Sequence, residues 1–70
     1  MKRRDVLKKI STAAKSRGLV WEFKRNGANH EVYSLDGLVI PIARHSEIGD
    51  RFAQELFKEC EPKLGSRWWR

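Results

Sequence analysis

Seventy residues, 40% hydrophobic and 34% charged, suit one small folded domain and are too apolar for a disordered chain. No apolar run approaches the ~20 residues of a membrane span, and the basic start Met1-Lys2-Arg3-Arg4 leads into no secretory apolar stretch. The net charge of +6 is unevenly spread, with +7 on residues 1–30, −4 on residues 31–61 and +3 on the last nine. Such a one-sided field points the N-terminal half toward a polyanion, nucleic acid ahead of a membrane surface. Cys60 is the only cysteine, so no internal disulfide forms. A reducing, cytoplasmic setting with no membrane association is the expectation.

Val6, Leu7, Ile10, Ala13 and Ala14 fall on one helical face, with Lys2, Lys8, Lys9 and Lys15 on or near the other. This predicts a basic amphipathic helix over residues 4–16, ended by Gly18. The period then changes from helix to strand. Leu19, Trp21 and Phe23 alternate with Val20, Glu22 and Lys24, which predicts a half-buried strand.

Residues 25–29 form the next turn, with Asn26-Gly27 as a hairpin dipeptide and Gly27 expected at positive φ. A second strand, His30 to Leu35, sets His30, Val32 and Ser34 on one face and Glu31, Tyr33 and Leu35 on the other. Asp36-Gly37 reads as another hairpin turn. The third strand, Leu38 to Ala43, contains Pro41, which cannot donate to a ladder and so belongs on an edge.

Arg44-His45-Ser46-Glu47 leads into a second helix with an apolar stripe of Ile48, Phe52, Ala53, Leu56, Phe57 and Cys60. Ser46 or Asp50 is its expected N-cap and Pro62 its expected stop. Cys60 reads as a small core residue. Beyond a domain of residues 1–62 lies a tail, 63–70, with Trp68-Trp69 between arginines. Base stacking, packing back on the body, oligomer contact and a disordered end are all open to it.

The predicted order is α-β-β-β-α. It gives a two-layer α+β domain, a three-stranded antiparallel sheet with two helices on one face and the other face largely open. Folds of this order resemble the double-stranded RNA-binding domain. His30, His45 and Cys60 show no metal-ligand spacing, and no glycine loop cradles a phosphate, so neither metal nor cofactor is expected. Acid–base chemistry by histidine remains, because imidazole exchanges protons near neutrality. Metal-free RNA cleavage needs a base for the 2′-hydroxyl, an acid for the departing 5′-oxygen, and cations around the phosphorane.

Arg4-Asp5-Val6-Leu7-Lys8-Lys9-Ile10, Gly27-Ala28-Asn29-His30, Asp36-Gly37, the apolar strand around Pro41, and Arg44-His45 before Glu47-Ile48 occur in a telling order. Over about residues 3–60 the chain resembles the HicA toxins of bacterial and archaeal toxin–antitoxin pairs. The turn is similar to that family's Gly-Ser-Asn-His or Gly-Ser-His-His motif, and Asn29 stands where many members carry the first of two histidines. The resemblance implies a double-stranded-RNA-binding-like fold and an endoribonuclease (mRNA interferase) with His30 as the catalytic residue. It also implies inhibition by a cognate HicB-like antitoxin protein, with homo-oligomers only through that complex.

On this reading His30 is the general acid/base, Gly27 shapes its turn and belongs with Asn29 to the substrate-binding set, and Asn29 orients the scissile phosphate. Lys24, Arg25 and Arg44 are candidate phosphate contacts. His45 is a second acid/base candidate, or a helix-entry residue bonded to backbone. A non-catalytic RNA-binding domain and a basic protein-interaction module are the alternative functions.

Overall fold

Val6, Ile10 and Ala14 recur every four residues and are fully buried, one stripe of a helix whose other faces are charged. The computed structural model describes residues 1–70, and this helix, α1, spans Arg3–Ser16. Gly18, at φ +70°, ends it. The Gly18 amide donates to the Lys15 carbonyl at 3.1 Å and the Leu19 amide to that of Ala14 at 2.9 Å. These two bonds cap the helix by the Schellman arrangement, which needs a left-handed residue that glycine adopts without strain.

Three strands follow: β1 (Trp21–Asn26), β2 (His30–Leu35) and β3 (Leu38–Ala43). They form an antiparallel sheet in the order β1-β2-β3. Leu35 pairs with Leu38 across Asp36 and Gly37, both at positive φ (50° and 88°), the tight turn expected there. Pro41 lies opposite Val32 on an edge strand, as its missing N–H requires.

Strand β1 departs from the expected alternation. Phe23 pairs with Tyr33 and Arg25 with Val32, which leaves Lys24 as an unpaired bulge residue. The strand therefore runs on to Asn26, and the turn shrinks from residues 25–29 to residues 27–29. The bulge resets the alternation, so Glu22, Lys24 and Arg25 share the open face with Val32.

Helix α2 spans Asp50–Glu59, and a single further turn, α3, spans Glu61–Leu64. The expected caps are not used. Gly49 is the N-cap and no side chain bonds the first turn, while Asp50 is the first helical residue. Ser46 is held elsewhere: its carbonyl accepts the Arg3 amide at 2.9 Å, and the Ile48 amide donates to Met1 at 2.7 Å. Residues 46–48 thus run antiparallel to the chain start, bridged at Lys2 and Glu47. Pro62 does not stop α2, which breaks at Cys60; it sits in the first turn of α3, where its missing N–H costs no bond.

Val6, Ile10 and Ala14 of α1 and Ala53 and Phe57 of α2 join Leu35, Ile40 and Ile42 of the sheet in one buried cluster. Ile48, Cys60 and Leu64 complete it. The protein is thus α+β, a three-stranded antiparallel sheet with α1 and α2 packed on one face. The other face is open: Pro41 is exposed and Val39 is 63% exposed. Phe52, expected on the buried stripe, is 66% exposed instead. No helix is long and apolar enough to cross a membrane.

Of the readings open for residues 63–70, packing back on the body is the one observed. The Trp68 indole N–H donates to the Phe57 carbonyl at 2.7 Å, and the Phe57 ring meets Trp68 edge-on at 5.2 Å. Trp69 lies 5.9 Å from the Phe57 ring, and the Lys9 Nζ sits 5.9 Å over that same Phe57 ring.

Candidate active site

The turn before β2 is closed from two sides. The Gly27 amide donates to the His30 carbonyl at 2.7 Å. The outward Gly27 carbonyl accepts the Arg44 guanidinium at 2.6 Å, which also reaches the Asn26 Oδ1 at 3.2 Å and the Ala28 carbonyl at 3.4 Å. Gly27 is not at positive φ, contrary to expectation. What sets it apart is proximity: a Cβ there would lie 3.1 Å from the His30 carbonyl oxygen, a tight contact.

His30 opens the central strand opposite Ala43, the last residue of β3. The chain leaving that strand carries Arg44, His45, Ser46 and Glu47, and successive residues serve opposite sides. Ala43, His45 and Glu47 line a groove of about 550 Å³ that also contains His30. Arg44 and Ser46 line a pocket of about 400 Å³ with Lys2, Arg3 and Arg4. Residues 43–47 therefore form a ridge between a cationic pocket and a groove holding both histidines of the chain.

Charge differs sharply across this ridge. The pocket gathers four cationic side chains and no carboxylate. Arg3 is anchored by ion pairing to Glu31 and donates through Nε to the Ala43 carbonyl at 2.9 Å. Lys2 pairs with no carboxylate, and Arg4 is only 3.9 Å from Asp5. The groove instead carries Glu47, Glu55 and Glu59 and no lysine or arginine. Burial, and then the neighbouring Glu55 charge, hold the Glu59 carboxyl above its ordinary range.

Not every expected site residue meets here. Lys24 is 2.8 Å from Glu22 in an exposed ion pair, and neither it nor Arg25 lines the groove or the pocket. Arg25 stays beside the turn, its Nη1 4.0 Å from where a Gly27 Cβ would sit. Asn29 is exposed at the tip. Arg44 reaches the site but spends donors on holding the turn.

Lys2, Arg3, Arg4, Glu47, Phe52, Glu55 and Glu59 line the site although none of them is an expected site residue. The spacing of 52, 55 and 59 on one helical face was the available signal. It was hidden because Phe52 counts as apolar.

Other chemistries are poorly served. The Cys60 side chain is fully buried, and burial followed by the Glu59 charge pushes its thiol up to about 12, far from a nucleophilic thiolate at neutral pH. No three His, Cys, Asp or Glu side chains converge on one metal position.

Comparison of the chain with protein-family models, with curated proteins and with solved structures finds no match.

Proposed function

We propose that this chain is a metal-independent endoribonuclease acting on mRNA in the cytoplasm, the toxin of a toxin–antitoxin pair. One observation carries the reading: His30 and His45 line the same groove, directly beside a pocket of four cationic side chains. The α-β-β-β-α order, with both long helices on one sheet face, supports a likeness to the double-stranded-RNA-binding fold and to the HicA toxins.

Cleavage needs only groups of this kind. One neutral imidazole takes the 2′-hydroxyl proton as O2′ attacks the adjacent phosphorus. The other, protonated, gives its proton to O5′ as the P–O5′ bond breaks. The products are a 2′,3′-cyclic phosphate and a free 5′-hydroxyl. On this reading Arg44, Lys2 and Arg4, across the ridge from the histidines, are the cations that stabilise negative charge building on the phosphorane. His30 is the principal acid/base, fixed by strand pairing and by the stapled turn, and His45 is its complement.

A HicB-like antitoxin fits as an acidic protein that covers the ridge, excludes RNA and is steered by the basic N-terminal half. Homo-oligomers then arise only through that complex. The test is incubation of the purified protein with a long single-stranded RNA in EDTA, with the new ends identified. Cyclic phosphate ends that vanish with His30→Ala are expected. RNA that is bound but never cut leaves a non-catalytic RNA-binding domain as the function.

A further inference from the structure

A nucleotide has two unlike edges, an anionic phosphate and a base bearing N–H donors and an aromatic face. The site is divided in the same way. Cations lie on one side of the ridge, while the groove on the other side mixes apolar and carboxylate groups in a chain of net charge +6. A phosphate finds no cation of lysine or arginine in that groove. A base finds both kinds of partner it needs.

The groove wall away from the ridge is one face of α2, where Phe52, Glu55, Leu56 and Glu59 follow the i, i+3, i+4, i+7 spacing. The Phe52 ring is 66% exposed and stacks on no other aromatic ring, although a phenylalanine normally seeks the core. One and two turns on, the exposed carboxylates Glu55 and Glu59 project from the same face. Aromatic platforms and side-chain acceptors on the Watson–Crick edge are how unstacked RNA bases are read.

We propose that the groove is a base-recognition subsite for guanine, on the nucleotide next to the phosphate held at the histidines. Phe52 supplies the stacking surface, and Glu55 or Glu59 accepts the guanine N1–H and N2–H donors. Guanine alone presents two adjacent donors on that edge, which one carboxylate accepts together. Uracil offers one N–H between two carbonyl oxygens that a carboxylate repels, and adenine and cytosine offer an amino group beside an acceptor nitrogen. The link to a scissile phosphate rests on the ribonuclease reading; the base contact does not.

Two arms test this separately. In the first, isotope-labelled protein is titrated with 3′-guanosine monophosphate and with 3′-uridine monophosphate, followed by NMR. Guanosine monophosphate should shift the residue 52–59 signals at about tenfold lower concentration, in line with a two-bond contact. The double variant Glu55→Gln, Glu59→Gln should erase that preference, and Phe52→Ala should weaken both nucleotides; both variants change exposed groups and are checked by circular dichroism. Equal response to the two nucleotides overturns the subsite. So does a Lys/Arg-rich peptide that shifts these signals when guanosine monophosphate does not, which would mark a protein-docking groove. In the second arm, cleavage sites are mapped on a long RNA. Cuts beside guanine that spread to other bases in the Glu55, Glu59 variant support the subsite, and an unchanged cleavage pattern overturns it. Absence of any cleavage overturns the ribonuclease reading and leaves the nucleotide titration to decide the subsite alone.

Discussion

The Gly27 amide donates to the His30 carbonyl at 2.7 Å, and a Cβ on Gly27 would sit 3.1 Å from that same oxygen. Any side chain at this position thus presses on the histidine's own backbone. Gly27→Ala pushes a methyl against a carbonyl that already accepts the Gly27 amide, so one of the two must shift by a few tenths of an ångström. Overpacking of this kind costs about 1–3 kcal/mol. Even 1 kcal/mol lowers Tm by roughly 4–8 °C in a domain of this size. Thermal melting checks it; an unchanged or higher Tm would mean that the turn relaxes and that the reduced freedom of the unfolded chain dominates.

Arg44 combines a positive charge with a fork of donors on Gly27, Asn26 and Ala28. Lysine keeps the first and cannot reproduce the second. Arg44→Lys should preserve the salt dependence of RNA binding, a log–log slope of about −2 to −3.5 for roughly three to five neutralised phosphates. It should nevertheless speed amide exchange over residues 26–30 and slow cleavage. Amide exchange over residues 26–30 that stays as slow as in the parent would show that the fork of donors does not hold the turn.

What could be read from the sequence divides along physical lines. The strand faces followed from period two, because Leu38, Ile40 and Ile42 had to share a side whatever they packed against. Pro41 marked an edge for want of an N–H. The bulge at Lys24 left no trace, since polar residues on an open face carry no alternation that could break. Phe52 was misplaced because a hydrophobic residue at helical spacing signals the core, and burial depends on what the opposite element offers. Ser46 looked like a cap, but its backbone pairs with Arg3, a contact between residues 43 apart in the chain. The two histidines converge for the same reason: the pairing of His30 with Ala43 is a matter of register, and register is tertiary.

Residues 63–70 should be needed for stability, since Trp68 and Trp69 close the core over Phe57. Trp68→Phe keeps most of the ring contact and loses the bond to the Phe57 carbonyl, at a cost of about 1 kcal/mol. Trp68→Ala loses both and costs more, though less than the roughly 3–5 kcal/mol of a fully buried tryptophan, because Trp68 is half-buried. Urea unfolding of the two variants separates the terms. Equal, small losses would show that the tryptophan contributes little to the fold.

The buried thiol of Cys60 gives stability a dependence on alkaline pH. Burial first and the Glu59 charge second raise its pKa from 9.0 to about 12, so the folded state keeps a proton that the unfolded state releases. The contribution is fully present below pH about 9 and is lost as pH rises toward about 12. Cys60→Ala should flatten this fall relative to wild type, whatever constant offset the lost sulfur adds. Glu59, also raised, acts in the same sense at lower pH: its contribution declines as pH climbs through the carboxylate range, and Glu59→Gln should remove that decline. Parallel stability curves for wild type and Cys60→Ala would contradict the assignment.

His30 and His45 are both exposed and share one groove, so each should matter far more to rate than to folding. Exposed substitutions usually stay within about 0.5 kcal/mol of the parent stability. A positioned acid or base contributes ~10²–10⁴-fold to rate. His30→Ala should therefore melt like the parent, bind RNA with the same salt slope, and lose cleavage by that factor. If His45 supplies the second proton transfer, its alanine variant keeps part of the activity and loses one limb of the bell-shaped pH–rate profile. The double variant should then be little slower than His30→Ala, because partners in one step are not additive. Single-turnover rates across pH for all three variants, each checked for fold, decide the matter. Wild-type cleavage by folded His30→Ala would remove His30 from the chemistry, and an intact pH profile in His45→Ala would return His45 to the role of a helix-entry residue.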